Sequence, residues 1–311
     1  MPSATSSKRG DGIEFSVIIA SVESERSIEH CIRSVRDAVE GTHAEVVVVD
    51  ASRDRSADIA ERSLGAERVI RCAPGTLTPD LWAVGIARST GRVVALTTGH
   101  FAVGPTWSKV LGSGLEQGTV GVAGRVDLAD DTGITDWAVF YLRYSEFLSE
   151  PERFKRDVEG IPADNAAYEG EAIRRFLMGT GEGFWEVEFH RQLKANGGRL
   201  GVVQGAVAHF GRSFPFRTIL AHRFHHGRHA GAWRVAVGER SVLGVVAASP
   251  LVPALLAART WRRVRLFGPH RARFLRALPV FVTLAASWAL GEAVGAIVGA
   301  PAQRRAAPVP A

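Results

Sequence analysis

A cluster of small polar residues follows the apolar run VVAL at positions 93–96. It consists of Thr97, Thr98, Gly99 and His100. Strand ends that hold a divalent cation usually carry carboxylates, because hard cations prefer oxygen ligands, and this cluster contains none. His100 is the strongest potential metal ligand, and imidazole suits Mn²⁺ or softer ions better than Mg²⁺. The sequence therefore predicts a ligand-binding edge that binds a metal weakly or not at all.

Four histidines recur at helical spacing in the C-terminal third of the chain. They are His222, His225, His226 and His229. Their i, i+3, i+4, i+7 spacing places them on one helix face, which a metal site could use, but we favour a surface helix over the active site. Arg223 and Arg228 stand among them, and guanidinium groups pair strongly with phosphates. A basic patch facing a membrane is the alternative role for these arginines.

Apolar runs alternate with amphipathic segments, and these elements must position the polar residues. Predicted strands cover residues 15–20, 45–50, 68–70 and 93–96, and predicted helices cover residues 27–39, 56–64 and 79–89. The alternation predicts an α/β fold with a parallel sheet covered on both faces. Such sheets bind ligands at the carboxyl ends of their strands. Asp50 and the Thr97–His100 cluster both fall at such ends.

The pattern loosens after His100 but continues to about residue 210. We predict a helix at 107–115, a strand at 120–124, a polar turn region at 161–168, a helix at 183–196 and a last strand at 202–209. A carboxylate, Glu186, lies on the second of these helices. Glu188 points elsewhere, because residues i and i+2 do not share a helix face.

The chain of 311 residues divides by charge. From Phe216 to the end it has 14 Arg, no Lys and two acidic residues, whereas the remainder carries a net charge of −6. A cationic part of this kind fits anionic lipid or a phosphorylated ligand, and fits nucleic acid least because it also contains long apolar runs. Residues 1–12 are polar and predict a loose tail rather than a signal peptide. No G-x-G-x-x-G follows the first strand, which disfavours a dinucleotide-dependent oxidoreductase.

Two apolar segments, residues 242–258 and 277–300, flank the basic stretch RTWRRVRLFGPHRARFLR. The second is long enough to cross a bilayer, which takes about 20 residues. If both crossed, the basic stretch would lie on the far side, against the positive-inside tendency. We therefore expect that only the second segment crosses, or that both lie in the cytoplasmic leaflet with the arginines at the headgroups. A buried hairpin in a soluble protein is the alternative, because Glu292 would be costly in lipid.

Several stretches together resemble family 2 glycosyltransferases, which have the GT-A fold. They are FSVIIAS, VVVVDASRDRSADIA, a W-x-x-G-I-x-x-S-x-G helix ending before VVALTTGH, IPADNAAY, GFWEVEFHRQLKANGG and FRTILAHRFHHGRHAGAWR. The chain departs from the family where an acidic pair usually stands, at Thr98-Gly99-His100. The tail with SWALGEAVG also resembles the membrane-associated end of some bacterial members.

The resemblance implies a role for particular residues. Ala20, Ser21, Asp50, Thr98 and Gly99 would bind the donor nucleotide, with Asp50 accepting a hydrogen bond from the base. Glu186 would be the catalytic base, with Glu182 as the fallback. Arg223 and Arg228 would meet the donor diphosphate, and Asn165 and Trp185 would lie on the acceptor side. His100 would be the remaining metal ligand, for Mn²⁺ or Mg²⁺ bound weakly or not at all.

The implied fold is a mostly parallel mixed sheet flanked by helices, followed by C-terminal apolar helices. We expect a GT-A domain at residues 13–240 and a membrane-associated helical region at 241–311. The implied activity is inverting transfer of a sugar from a nucleotide-sugar donor to a lipid or saccharide hydroxyl, with the catalytic domain at the cytoplasmic face of the cytoplasmic membrane. The alternative is a catalytically inactive relative that binds a nucleotide sugar or a partner.

Overall fold

Strands and helices alternate through the first half of the chain in this computed structural model. It describes residues 13–130, 132–148, 154–180, 183–211 and 215–299, so the predicted tail at residues 1–12 lies outside it. The strands are β1 (Phe15–Ser21), β2 (Ala44–Asp50), β3 (Val69–Arg71), β4 (Val93–Thr98), β5 (Phe101–Val103), β6 (Gly121–Ala123), β7 (Val126–Leu128), β8 (Phe154–Arg156), β9 (Ala166–Glu169), β10 (Leu200–Val203) and β11 (Ala208–Phe210).

The helices lie between and after these strands. They are α1 (Ile28–Ala38), α2 (Ser56–Leu64), α3 (Thr78–Arg88), α4 (Trp107–Leu115), α5 (Ile134–Tyr144), α6 (Gly170–Thr180), α7 (Glu186–Ala195), α8 (Phe216–Ala236), α9 (Val242–Ala248), α10 (Val252–Val264) and α11 (Gly268–Val298). The predicted helices and strands before His100 are confirmed to within two residues at each end.

The main sheet has the order β3-β2-β1-β4-β9-β6-β10-β8, and a smaller sheet has the order β5-β11-β7. Neighbouring strands from β3 to β4 are parallel, β9 is antiparallel to both β4 and β6, and β8 is antiparallel to β10. The predicted mostly parallel mixed sheet is therefore confirmed. Apolar side chains bury both of its faces and form two core clusters.

Two predictions in the middle of the chain are wrong. Residues 161–168 are not a turn region throughout, because a 3-10 turn at Ala163–Asn165 leads into β9 near the centre of the sheet. β9 has no apolar–polar alternation, since Ala166, Ala167 and Tyr168 are all buried, and small alanines carry little strand signal. The predicted last strand divides into β10 and β11, which belong to different sheets.

The C-terminal helices extend beyond the two apolar segments. The first apolar segment is interrupted by a 3-10 turn at Ser249–Leu251, and α10 then continues to Val264. The second begins earlier, at Gly268, and passes through Pro279 without ending. The stretches Val242–Val264 and Gly268–Val298 are both long and apolar enough to cross a membrane; few residues of the first are buried, whereas nearly half of the second is buried. Length and composition alone are a weak indication of a membrane span.

α8 and α11 approach each other through glycines. An added Cβ at Gly231 of α8 would lie 2.0 Å from the carbonyl oxygen of Glu292 on α11, and one at Gly295 would lie 1.9 Å from that of Arg228. Such backbone-to-backbone contact requires residues without a side chain. Glu292 itself is buried and forms an ion pair with Arg234 of α8. The carboxylate that argued against lipid burial is thus neutralised within the helix pair.

Candidate active site

The carboxyl ends of β1, β2 and β4 meet at one edge of the main sheet. The register pairs Ser21 with Asp50 and Ala20 with Thr98. The Gly99 amide donates a hydrogen bond to the Ala20 carbonyl at 2.9 Å. Five residues predicted to bind a donor nucleotide therefore lie side by side, because parallel strands end at the same edge.

Asp50 is buried at this edge and holds the loop that follows β2. Its carboxylate accepts hydrogen bonds from the Ser52 amide at 2.9 Å and the Ser52 hydroxyl at 2.8 Å. Burial raises the pKa of Asp50, while the hydrogen bonds from Ser52 act in the opposite direction. Each carboxylate oxygen can accept more than one hydrogen bond, so these contacts are compatible with the predicted role toward a base N–H, which stays a prediction.

His100 ties together the loops at the ends of β1 and β4. Its Nε2 lies 3.1 Å from the carbonyl oxygen of Val22 and 3.3 Å from the hydroxyl of Ser24. A bond to a carbonyl requires Nε2 to carry the proton, which leaves that nitrogen no lone pair for a metal. A side chain at Gly99 would also come within 2.7 Å of the Ser24 hydroxyl, so the loop depends on the glycine.

The residues at this edge do not fit a divalent cation. Among the described residues no group of three or more His, Cys, Asp or Glu side chains is arranged to hold a metal ion. Mg²⁺ and Mn²⁺ need several oxygen ligands, which the Thr98-Gly99-His100 corner does not supply. The predicted metal role of His100 is therefore not supported by the donor set.

A second group of charged side chains lies across from the strand ends. Asp164, in the 3-10 turn before β9, is buried; it accepts a hydrogen bond from the Tyr144 hydroxyl at 2.8 Å and forms an ion pair with Arg143. Tyr144 and Arg143 end α5. The sequence analysis missed Arg143 and Asp164, because no local pattern joins residues 21 positions apart.

Glu186 is the first residue of α7 and belongs to this group. Burial, and then the charge of Asp164, raise the pKa of Glu186 from 4.5 to about 7, and Arg143 limits the rise. A carboxyl group with this pKa is balanced between its acid and base forms at neutral pH. Glu188, by contrast, pairs with Arg191, which lowers its pKa. Glu182, the fallback base, lies outside the described residues.

Arg223 of α8 brings a second guanidinium to the group. Burial and the charge of Arg143 lower the pKa of Arg223 to about 10, and its Nε is buried without a hydrogen-bond partner. An unpaired buried donor is costly unless a ligand satisfies it. Arg228 lies on a different side of α8, where its Nε donates to the Gly299 carbonyl at 3.3 Å. Arg223 therefore lies beside the charged group and Arg228 does not, while the diphosphate role of both stays a prediction.

A cavity of about 50 Å³ lies between the two groups. Ala20, Thr98 and His100 line one side of it, and Arg143, Tyr144 and Asp164 line another. Phe210 of β11 and Ile219 of α8 contribute apolar walls. Neither Asp50 nor Glu186 lines the cavity, which joins their neighbours instead. Cavities for ligands of drug size measure about 300–1,000 Å³, so this space is too small for a whole nucleotide sugar.

The two predicted acceptor-side residues have different surroundings. Asn165 is fully buried; its amide donates to the carbonyls of Arg125 and Ala206, and its oxygen accepts from Trp107 Nε1 at 2.6 Å. Because the protein uses the whole side chain, Asn165 braces the loops, and its predicted role toward an acceptor loses its support. Trp185 precedes α7, and its buried indole N–H has no hydrogen-bond partner.

The histidines of α8 do not form one metal-binding face. His229 stacks on Trp185 with ring centroids 4.4 Å apart, and His226 meets the same ring edge-on at 5.9 Å. His225 is exposed. Burial lowers the pKa of His222 to about 4 and that of His226 well below its ordinary value. These two imidazoles are neutral at pH 7, and the favoured interpretation of α8 as a helix over the site agrees with this packing.

The sequence model described as Glycosyl transferase family 2 matches residues 16–176, just over half of the 311 residues. The chain belongs to this family. The family match runs from β1 into α6 and includes the strand ends with Asp50 and Thr98. It ends before Glu186 and Arg223, so the roles of those residues depend on the geometry given above. No curated protein matches the chain.

Solved structures that are similar to this family 2 chain include two bacterial enzymes. Residues 1–349 of S. aureus TarS, solved alone and in complex with UDP-GlcNAc, are 15% identical, with a TM-score of 0.48, 89% of this chain covered and 91% of the other. Glucosyl-3-phosphoglycerate synthase from Mycobacterium tuberculosis, solved with Mn²⁺, UDP-glucose and phosphoglyceric acid, is 18% identical, with a TM-score of 0.46 and coverages of 68% and 75%. Values this low carry no argument about what this chain binds.

Proposed function

We propose that the chain transfers a sugar from a nucleotide-diphosphate donor to a hydroxyl group, with inversion at the anomeric carbon. The observation that carries the proposal is the carboxyl group of Glu186. Its pKa of about 7 suits a general base at neutral pH. It belongs to a charged group that faces the strand ends where family 2 enzymes bind their donors.

The donor nucleotide would bind at the strand ends. The Asp50 carboxylate would accept a hydrogen bond from a base N–H, and Ala20, Ser21, Thr98 and Gly99 would lie beside the base and ribose. The small side chains and the Gly99 backbone support this assignment, because they allow a ligand to approach the main chain closely. The cavity must widen to admit the donor, and displacement of α8 would open it, since Ile219 forms part of its wall.

Arg223 and Arg143 would neutralise the diphosphate. The buried Nε of Arg223 has no protein partner, and a phosphate oxygen would satisfy it. Charge-assisted bonds from preorganised guanidinium groups stabilise negative charge that develops on a leaving group. The TarS and synthase structures were solved with UDP-sugars and, for the synthase, Mn²⁺. Because the donor set here does not fit such a metal, we route no step through one.

In the proposed step, the ionised Glu186 carboxylate takes the proton of the acceptor hydroxyl. The hydroxyl oxygen attacks the anomeric carbon as the bond from that carbon to the diphosphate oxygen breaks, and a single displacement inverts the configuration. The nucleoside diphosphate leaves with the bonding electron pair. Trp185 is the proposed acceptor-side residue, because it directly precedes Glu186 in the chain and its buried indole N–H has no hydrogen-bond partner. The acceptor would be a lipid or saccharide at the cytoplasmic face of the cytoplasmic membrane.

A panel of UDP- and GDP-sugars tests the proposal by release of the nucleoside diphosphate. We expect turnover with at least one donor, unchanged by EDTA, and a loss of at least about 100-fold in Glu186→Gln, the scale of general-base catalysis. Glu188→Gln is the matched control, because it changes the same residue type on the same helix and should retain activity. Activity untouched by Glu186→Gln would refute the base assignment.

A second candidate is a catalytically inactive member that binds a nucleotide sugar or a partner. The small volume of the cavity and the absence of an acidic pair at Thr98-Gly99-His100 favour this inactive candidate. It predicts that a UDP- or GDP-sugar raises the melting temperature of the protein while no product forms with any donor. Turnover abolished by Glu186→Gln would exclude it.

A further inference from the structure

The outer sides of α9, α10 and α11 expose large apolar side chains. Leu243, Leu251 and Leu255 are 78%, 61% and 59% exposed, and Leu290 and Ile297 of α11 are 60% and 63% exposed. Single exposed leucines are ordinary, but a run of them over consecutive helices marks an interaction surface. We call these helices' exposed side the apolar face.

A dense positive charge adjoins the apolar face. Residues 259–276, where α10 turns into α11, contain seven arginines and no acidic residue. Six of these arginines are exposed. Arg263 is the exception and pairs with Glu146, while Arg273 lies over the ring of Trp137. We call residues 259–276 the arginine corner.

The inner side of α11 packs on the rest of the protein along its length. Phe274 contacts Tyr141 of α5 with ring centroids 5.4 Å apart, and farther along, Glu292 pairs with Arg234 of α8. If α11 crossed a bilayer, α5 and the histidine-rich α8 would have to enter the hydrocarbon with it. Charged and polar side chains at that depth are costly.

We propose that the apolar face and the arginine corner together bind the surface of an anionic lipid bilayer, and that the chain lies on the membrane without crossing it. Exposed leucines would enter the acyl boundary while the arginines contact anionic headgroups, as in other interfacial helices. Charge complementarity selects the lipid as the occupant, because a wholly apolar partner would leave the six exposed arginines without anionic partners. This inference does not rest on the proposed transferase activity.

Membrane binding would also place the candidate active site near the headgroups. α8 is joined to α11 by glycine contacts and the Arg234–Glu292 pair, and its other side contributes Ile219 and Arg223 to the site. A lipid-borne acceptor would therefore reach the site from the surface on which the chain rests.

Vesicle flotation tests the proposed surface with the full-length protein. We expect binding to vesicles of phosphatidylcholine and phosphatidylglycerol in equal parts, and much weaker binding to phosphatidylcholine alone. Each arginine near an anionic surface contributes roughly fivefold to partitioning, so the triple variant Arg262→Gln, Arg265→Gln, Arg271→Gln should bind on the order of 100-fold less. High salt should weaken wild-type binding by screening.

A matched control removes the same charge elsewhere. Arg33→Gln, Arg62→Gln, Arg175→Gln alters three exposed arginines on α1, α2 and α6, and this protein should bind anionic vesicles like the wild type. Equal loss in both triple variants, or equal binding of the wild type to neutral and anionic vesicles, would overturn the proposal. A dimer in lipid-free solution would also overturn the proposal if the double variant Leu251→Ser, Leu255→Ser were a monomer. In that case a second copy of the chain would cover the apolar face.

Thiol labelling in sealed membrane vesicles distinguishes a surface-bound chain from a spanning one. Both natural cysteines are buried, so a cysteine introduced as Arg265→Cys or, at the exposed end of α11, as Val298→Cys reports its own position. We expect an impermeant maleimide to label both from the same side of the membrane. If the two positions are labelled from opposite sides, α11 crosses the membrane. If Arg265→Cys is labelled from the side opposite the catalytic domain, both apolar segments cross. Either result refutes the proposal.

Discussion

Replacing Glu186 with Gln should stabilise the protein at alkaline pH, even though it removes the proposed base. The native carboxyl has a pKa of about 7 and the ordinary value is 4.5. Between these values the folded state holds a proton that the unfolded state has lost, so the free energy of unfolding falls as the pH rises through this window. The difference is about 2.5 pKa units, each about 1.36 kcal/mol, so an ionised Glu186 costs the folded state about 3 kcal/mol at pH 8.

Urea unfolding followed by tryptophan fluorescence measures this effect. Wild type and Glu186→Gln should have similar free energies of unfolding near pH 4.5, and the variant should be about 3 kcal/mol more stable at pH 8. Glu188→Gln is the control, because the ion pair with Arg191 lowers the pKa of Glu188, so this variant should gain no stability over the wild type as the pH rises from 4.5 to 8. If the advantage of Glu186→Gln does not grow between pH 4.5 and 8, the carboxyl is not held near pKa 7 by burial.

Three further substitutions test the packing and charges around the site. Gly231→Ala should lower the free energy of unfolding by about 1–3 kcal/mol through overpacking of α8 on α11, whereas Gly179→Ala, where an added Cβ meets nothing within 4 Å, should be neutral or stabilising in the same urea experiment. Asp164→Asn should lower the free energy of unfolding by about 2–3 kcal/mol, less than the loss of a fully buried ion pair because the partner Arg143 is partly exposed. The same variant should move the acidic limb of the rate–pH profile below pH 7, because the charge of Asp164 raises the pKa of Glu186. An unmoved limb would show that Asp164 does not raise this pKa. Arg223→Gln should raise the KM for the donor at least about tenfold by loss of a charge-assisted bond of about 1.5–3 kcal/mol, and unchanged donor binding by calorimetry would count against its diphosphate role.

The helices at the start of the chain were predictable because their apolar residues recur at helical spacing, as Ile28, Cys31 and Val35 do in α1. The strands were predictable because continuous β-branched runs are typical of strands buried on both faces, as β1 is. α2 and α4 begin and end at the predicted residues. The short strand β9 was missed, since its small buried residues show neither period. It lies at the centre of the sheet only because it pairs with β4 and β6, which are distant in sequence.

The candidate site was predictable where strand ends define it and unpredictable where helices far apart in sequence meet. Asp50 and Thr98 follow from parallel strands ending at one edge. Arg228 was chosen with Arg223 because both lie among the same histidines, yet five helical positions separate them by about 140° at 100° for each residue. That angle directs Arg228 to α11 and leaves Arg223 beside Arg143.

The sequence by itself determined the α/β sheet, the family and the polar strand ends, because these depend on local periodicity and on residues close together in the chain. Only the tertiary structure decided the charge state of Glu186, the ion pair of Asp164 with Arg143 and the glycine contacts of α8 with α11. Each of these depends on which groups share a space from which water is excluded. Burial and electrostatic coupling arise from distances between remote segments, and those distances exist only once the chain has folded.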